Sequence, residues 1–91
     1  MEVELLEQVK NDLDRMDNSV FIDFMKHLEK IAGTPFQRHL KHGLPFYVEE
    51  VGQGRIIYSI DGDTIYIERC FTRHKDYEKW YRSYKRMRDF L

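Results

Sequence analysis

The stretch Thr64 to Phe71, followed closely by the segment beginning at His74, constrains the fold more than any other part of the chain. In the first, Ile65 and Ile67 alternate with Tyr66 and Glu68, while in the second Tyr77, Trp80, Tyr81, Tyr84, Met87 and Leu91 recur at three- and four-residue steps. Alternation puts successive side chains on opposite faces of a strand, and the longer step puts them on one stripe of a helix. The spacing therefore predicts a strand that runs almost directly into a helix. Lys75, Lys79, Arg82 and Arg86 fall on the other side of that helix, so it is aromatic inward and basic outward. An aromatic stripe must lie against another element to leave water.

The chain before it offers such elements. Arg55 to Ile60 is rich in β-branched and aromatic residues, with Gly52-Gln53-Gly54 before it and Asp61-Gly62-Asp63 after it, a strand between two tight turns. Leu44 to Val51 is a further strand candidate, and Phe36 to His42 reads as an irregular segment with one short edge strand. Together these predict an antiparallel meander. Upstream, Val3, Leu6, Val9, Leu13 and Met16 mark a helix over about residues 2 to 16. Asp17-Asn18-Ser19 supply N-cap side chains for a second helix carrying Val20, Phe21, Phe24, Met25, Leu28, Ile31 and Ala32 and stopping at Gly33. The expected architecture is α+β: an N-terminal helical hairpin packed on a small curved antiparallel sheet, with a C-terminal helix.

Composition bounds what such a chain does. Its 91 residues are expected to form one domain over 1–91, and 42% hydrophobic with 34% charged residues suits a globular core. No apolar run reaches the length of a membrane span, and the acidic start Met1-Glu2-Val3-Glu4 is unlike a secretory signal. A cytoplasmic protein is expected. Cys70 is the sole cysteine, which excludes an internal disulfide and suits a reducing compartment. Net charge is −1, yet from Arg69 onward eight basic residues stand against three acidic ones. Screening confines each charge to about 8 to 10 Å, so this basic end can attract a polyanion on its own account.

The order of these elements, with Gly54, Arg55-Ile56-Ile57-Tyr58, the acidic turn Asp61 to Asp63, the strand Ile65 to Ile67 and the cluster Thr72 to Asp76, resembles the RelE/ParE toxin superfamily. Glu68-Arg69 followed by Thr72, His74 and Asp76 looks most like its YafQ-type branch. The likeness covers about residues 37 to 80, and its order and spacing carry it rather than any single motif. It implies the toxin of a type II toxin–antitoxin system, an mRNA endonuclease that works on the ribosome and is held inactive by a cognate antitoxin. Some relatives instead poison DNA gyrase. A non-enzymatic gyrase inhibitor, or an inactive relative that only binds its partner, is therefore the alternative reading.

Metal-free RNA cleavage needs a 2′-hydroxyl deprotonated, phosphorane charge stabilised and a leaving oxygen protonated. His74 falls where ribonuclease relatives place a catalytic His or Arg, and histidine suits proton transfer near neutral pH. Arg55 matches a family arginine that grips the scissile phosphate; its plain alternative is a salt bridge to Glu49 or Glu50 across the hairpin. Arg73 and Lys75 flank His74, and Lys79 and Arg82 continue the basic stripe as RNA contacts or as solvated surface. Trp80 falls near a family aromatic and offers a ring for a base, although its spacing is also that of a core stripe. Typical members carry lysines on the strand where this chain has Tyr47, Glu49 and Glu50, so Glu49 either serves as a general base or marks a surface that has lost catalysis. His39, His42, His74 and Cys70 follow no familiar ligand spacing, so neither metal nor cofactor is expected. His39 and His42 stand as alternative acid/base groups.

Overall fold

The computed structural model describes residues 2–33 and 45–90. Its elements are β1 (Glu2–Leu5), α1 (Glu7–Asp14), α2 (Asn18–Gly33), β2 (Tyr47–Val51), β3 (Gly54–Asp61), β4 (Thr64–Phe71) and α3 (His74–Phe90). The α+β class and the change from strand to helix at Thr72-Arg73 are as expected. The sheet is mixed, in the order β1-β4-β3-β2, because β1 lies parallel to β4 while the other pairs are antiparallel. The short strand expected within Phe36 to His42 falls outside the described residues.

The first helix is shorter than its periodicity suggested. Residues 2–5 leave it and pair with Thr64 to Ile67, with Val3 and Leu5 the more buried. Glu2-Val3-Glu4-Leu5 satisfies a period of two as well as a helical stripe, and the long-range partner decides between them. β2, β3 and β4 form the expected meander, with Gly52 and Gly62 taking the positive φ that their tight turns require. A register slip sets Ile57 opposite Arg69 and Tyr58 opposite Ile67, leaving Glu68 as the extra residue. Ser59 Oγ donates to the Glu68 carboxylate at 2.9 Å.

The sheet is covered on both faces. Val9 and Leu13 of α1 and Phe24, Leu28 and Ile31 of α2 bury one face of Ile56, Tyr58, Ile65 and Ile67. The other face carries a smaller core of Val48, Ile57 and Phe71, against which Phe46 and the α3 aromatics Tyr77, Trp80, Tyr81 and Tyr84 are half-buried. Adjacent residues Ile56 and Ile57 thus serve different cores, as the pleat dictates. At Gly54 an added Cβ would sit 2.5 Å from the Phe71 carbonyl oxygen and 2.7 Å from Phe24 Cζ, so glycine lets α2 and β4 close over this turn.

β1 ends opposite Ile67, and beyond it that edge of β4 has no strand neighbour among the described residues. The buried carboxylate of Asp12 takes its place: it accepts from the Cys70 backbone N–H at 3.0 Å and from Arg69 Nε and Nη2 at 2.8 and 2.9 Å. One side chain thereby ties α1 to the strand leading into α3. Replacing Asp12 with alanine leaves a buried N–H unpaired and is expected to lower unfolding stability by about 2 kcal/mol, read as a lower denaturant midpoint. Gly54→Ala is expected to cost about 1 to 3 kcal/mol by overpacking, measured in the same way.

Candidate functional site

Where β3 begins and α3 starts, Arg55 of β3 meets Tyr77 and His74, one turn apart on α3, on the second face of the sheet. Arg55 is the second residue of β3, and its Nη1 donates to the carbonyls of Gly54 at 2.7 Å and Gly52 at 3.3 Å. The hairpin thereby holds the guanidinium beside its own turn. Its Cζ lies 5.9 Å from the ring centroid of Tyr77, within cation–π range. The His74 ring also contacts Tyr77, 5.6 Å from it centroid to centroid. Tyr77 is therefore the bridge between the two residues expected to act together. Its spacing identified it only as core, and its place between Arg55 and His74 becomes visible once α3 is docked.

Carboxylates orient this cluster. His74 Nε2 lies 2.6 Å from Glu78 Oε1 one turn along α3, and Arg82 Nη2 reaches the other Glu78 oxygen at 3.3 Å. Arg73 is held by Asp76 at 3.0 Å, and Arg55 Nη2 stands 3.9 Å from Glu50. The cross-hairpin pairing considered for Arg55 is thus made, at a long distance, with Glu50. Lys75 is exposed beside His74. Chemically, the cluster offers an imidazole for proton transfer and a planar guanidinium for an anionic oxygen, with a phenol between them.

The remaining candidates lie elsewhere. At 100° per residue, Lys75, Arg82 and Lys79 fall within about 60° of one another on α3, so the basic stripe is continuous, with Lys79 at its edge farthest from His74. Trp80 packs between Phe46, Phe71 and Tyr84, with ring centroids 5.6, 5.9 and 5.6 Å away. Glu49 projects to the other face of the sheet, where it is buried against α2 and joined to His27 Nδ1 at 2.7 Å and Lys30 Nζ at 3.0 Å. The structure does not bring it to His74. His27 carries no signal along the sequence, because only the β2–α2 packing reveals its carboxylate partner. Among the described residues no group of three His, Cys, Asp or Glu side chains is placed to hold a metal ion. His39 and His42 lie outside those residues. Among the described residues, too, no helix is long and apolar enough to cross a membrane.

A four-stranded mixed sheet with two helices on one face, an aromatic helix on the other and an Arg–Tyr–His cluster at its rim defines a small α+β protein that presents cations beside a strand-to-helix junction. This is the fold of the RelE-like toxins. The structure is similar to the isolated Escherichia coli RelE toxin, with a TM-score of 0.70 and 13% identity over 94% of this chain and 97% of that one. It is also similar to the toxin–antitoxin complex RelBE2 of Mycobacterium tuberculosis, at 0.69 and 17% over 79% and 96% of the two chains. A third similar structure is the YoeB dimer of Staphylococcus aureus, at 0.64 and 18% over 80% and 97%. No family model and no curated protein sequence matches the chain.

The Glu49 carboxyl makes the first core sensitive to acid. Burial alone would raise its pKa, but the hydrogen bonds from His27 and Lys30, with their charges, outweigh burial and hold it below the ordinary 4.5. A carboxyl lowered on folding contributes stability above its ordinary pKa and loses it as pH falls through the folded-state value. Stability is therefore expected to drop below about pH 4.5, and Glu49→Gln to flatten that acid limb in denaturant titrations. An acid limb as steep in the variant would assign the effect to other groups.

Proposed function

We propose that the chain is the toxin of a type II toxin–antitoxin system and cleaves mRNA on the ribosome without a metal ion. The observation that carries this reading is the convergence of Arg55, Tyr77 and His74 on one rim of a RelE-like fold. In this assignment His74 is the acid/base group, positioned by Glu78, and exchanges a proton with the 2′-hydroxyl or the 5′-oxygen. Arg55 and Arg73 stabilise the phosphorane charge, Arg73 by exchanging its Asp76 pairing for the substrate phosphate. Lys75, Arg82 and Lys79 extend the cationic surface from His74 around α3, and Trp80 offers its ring to a base. Glu49 has a structural role. The similar RelE and YoeB structures include toxin–antitoxin complexes, which supports a small cognate antitoxin as the partner that covers the rim. Action on mRNA places the protein in the cytoplasm.

A second reading is a protein that acts by binding alone, as a ParE-like gyrase inhibitor or an inactive relative. One observation favours it: Arg55, Arg73 and Arg82 each stand near a carboxylate already, at 3.9, 3.0 and 3.3 Å.

Induced expression in a bacterial host is expected to arrest growth and to produce new mRNA ends within open reading frames. His74→Ala is expected to reduce cleavage by about 100-fold or more, the range for a lost acid/base group, and Arg55→Ala to reduce it comparably. Intact mRNA at high levels of soluble wild-type protein would overturn the nuclease reading. DNA damage without mRNA cleavage would support the gyrase one.

A further inference from the structure

Because β1 stops opposite Ile67, the last residues of β4 lie open between α1 on one face and α3 on the other. The opening is a groove of about 540 Å³, within the roughly 300 to 1,000 Å³ of small-ligand sites. One wall is the end of α1, where Arg15 is the C-cap residue. The other is α3, which contributes Asp76, Lys79, Trp80 and Ser83, and β4 with Thr72 forms the floor. Along α3, Asp76, Lys79 and Ser83 fall together on the flank opposite His74, with the aromatic stripe between. The groove is therefore separate from the Arg55–Tyr77–His74 rim.

Its charges are unequal in availability. Both carboxylates that line it are engaged, Asp12 by Arg69 and the Cys70 N–H, and Asp76 by Arg73. Arg69 is consumed by Asp12 and lies 4.6 Å over the Phe71 ring. Arg15 and Lys79 have no carboxylate partner among the described residues. Two uncompensated cations thus stand on opposite walls, with an indole on one wall and the Thr72 and Ser83 hydroxyls beside it.

We propose that this groove binds single-stranded RNA, with one base against Trp80, phosphates held by Arg15 and Lys79, and Thr72 and Ser83 positioned for sugar hydroxyls. An acidic peptide would satisfy the two cations but does not account for the indole on the Lys79 wall, whereas aromatic surface beside cations is how single-stranded nucleic acid is held. The ligand class rests on the RNA reading above, but the groove uses neither Arg55 nor His74. It adds Arg15, seventy-odd residues before the end of the chain, to a surface otherwise built by α3.

Trp80 is the only tryptophan, so its fluorescence reports on the groove directly. Titrating the wild-type protein with a short single-stranded RNA of mixed sequence is expected to give saturable quenching that weakens as salt rises. Arg15→Gln and Lys79→Gln are each expected to weaken binding about 3- to 10-fold and to reduce the slope of log K against log salt by about 0.7, one single-strand phosphate contact. Circular dichroism confirms that each variant is folded, and Arg15→Lys, which keeps the charge, is expected to restore binding if Arg15→Gln loses it. Absence of quenching by RNA, stronger quenching by an acidic peptide of equal charge, or unchanged affinity in both glutamine variants would overturn the proposal. Quenching that responds to Arg15 without any mRNA cleavage in cells would remove the nuclease function and leave the groove standing.

Discussion

The carboxylate of Asp12 is the interaction on which the rest of the molecule depends. A strand edge left unpaired in the interior must find acceptors for its N–H groups, and β1 is too short to supply them along the whole of β4. Asp12 accepts from Cys70 and from the forked guanidinium of Arg69 at once. This seats α1 on β4, and it holds Arg69 where its guanidinium covers Phe71, a residue of the second core. The same contact shapes the Cys70 environment: burial, with the nearby Asp12 charge, pushes its thiol up to about 12, so the sole cysteine is a packing residue at neutral pH.

The two faces of the sheet divide the chemistry. Strand alternation sends Glu49 toward α2, into contact with His27 and Lys30, while Arg55 goes to the α3 side. Tyr58, wholly buried on the first face, has its phenol pushed up to about 12 by burial and by the Glu49 charge. The first face therefore carries a buried polar group that is fully engaged in holding β2 to α2. The second is the thinner core, closed by aromatic rings rather than by buried aliphatics, and no residue of α3 is fully buried. The proposed site and the less buried element coincide there, as is usual where a site must remain accessible.

Local electrostatics are quieter than the charge count of the last segment suggests. Arg73 is paired with Asp76, Arg82 with Glu78 and Arg88 with Asp89, and Arg69 with Asp12. The three exposed pairs contribute little to stability, unlike the one with the buried Asp12, but all four set which cations remain for a ligand. Lys75, Lys79, Lys85 and Arg86 on α3 and Arg15 at the end of α1 have no carboxylate partner among the described residues. A polyanion would meet these first.

Alternation and helical spacing were enough to place β2, β3, β4, α2 and α3 and the strand-to-helix junction before His74, because those patterns are local and one-dimensional, whereas the pairing of Arg55 with His74 came from the family resemblance alone. β1 was not legible, since Glu2 to Leu5 fits two periods and only a parallel partner some sixty residues away chooses between them. Nor were Asp12 and Arg69, His27 and Glu49, the bridging position of Tyr77, or Arg15 facing Lys79 across the groove. Each joins side chains on different elements, and no spacing along the chain records a contact that exists only after sheet order and helix docking are set. The sequence by itself determined which segments are strands and helices over most of the chain and where its cations concentrate. Tertiary structure decided which of those cations stand beside His74, which are neutralised, and which face a groove of their own.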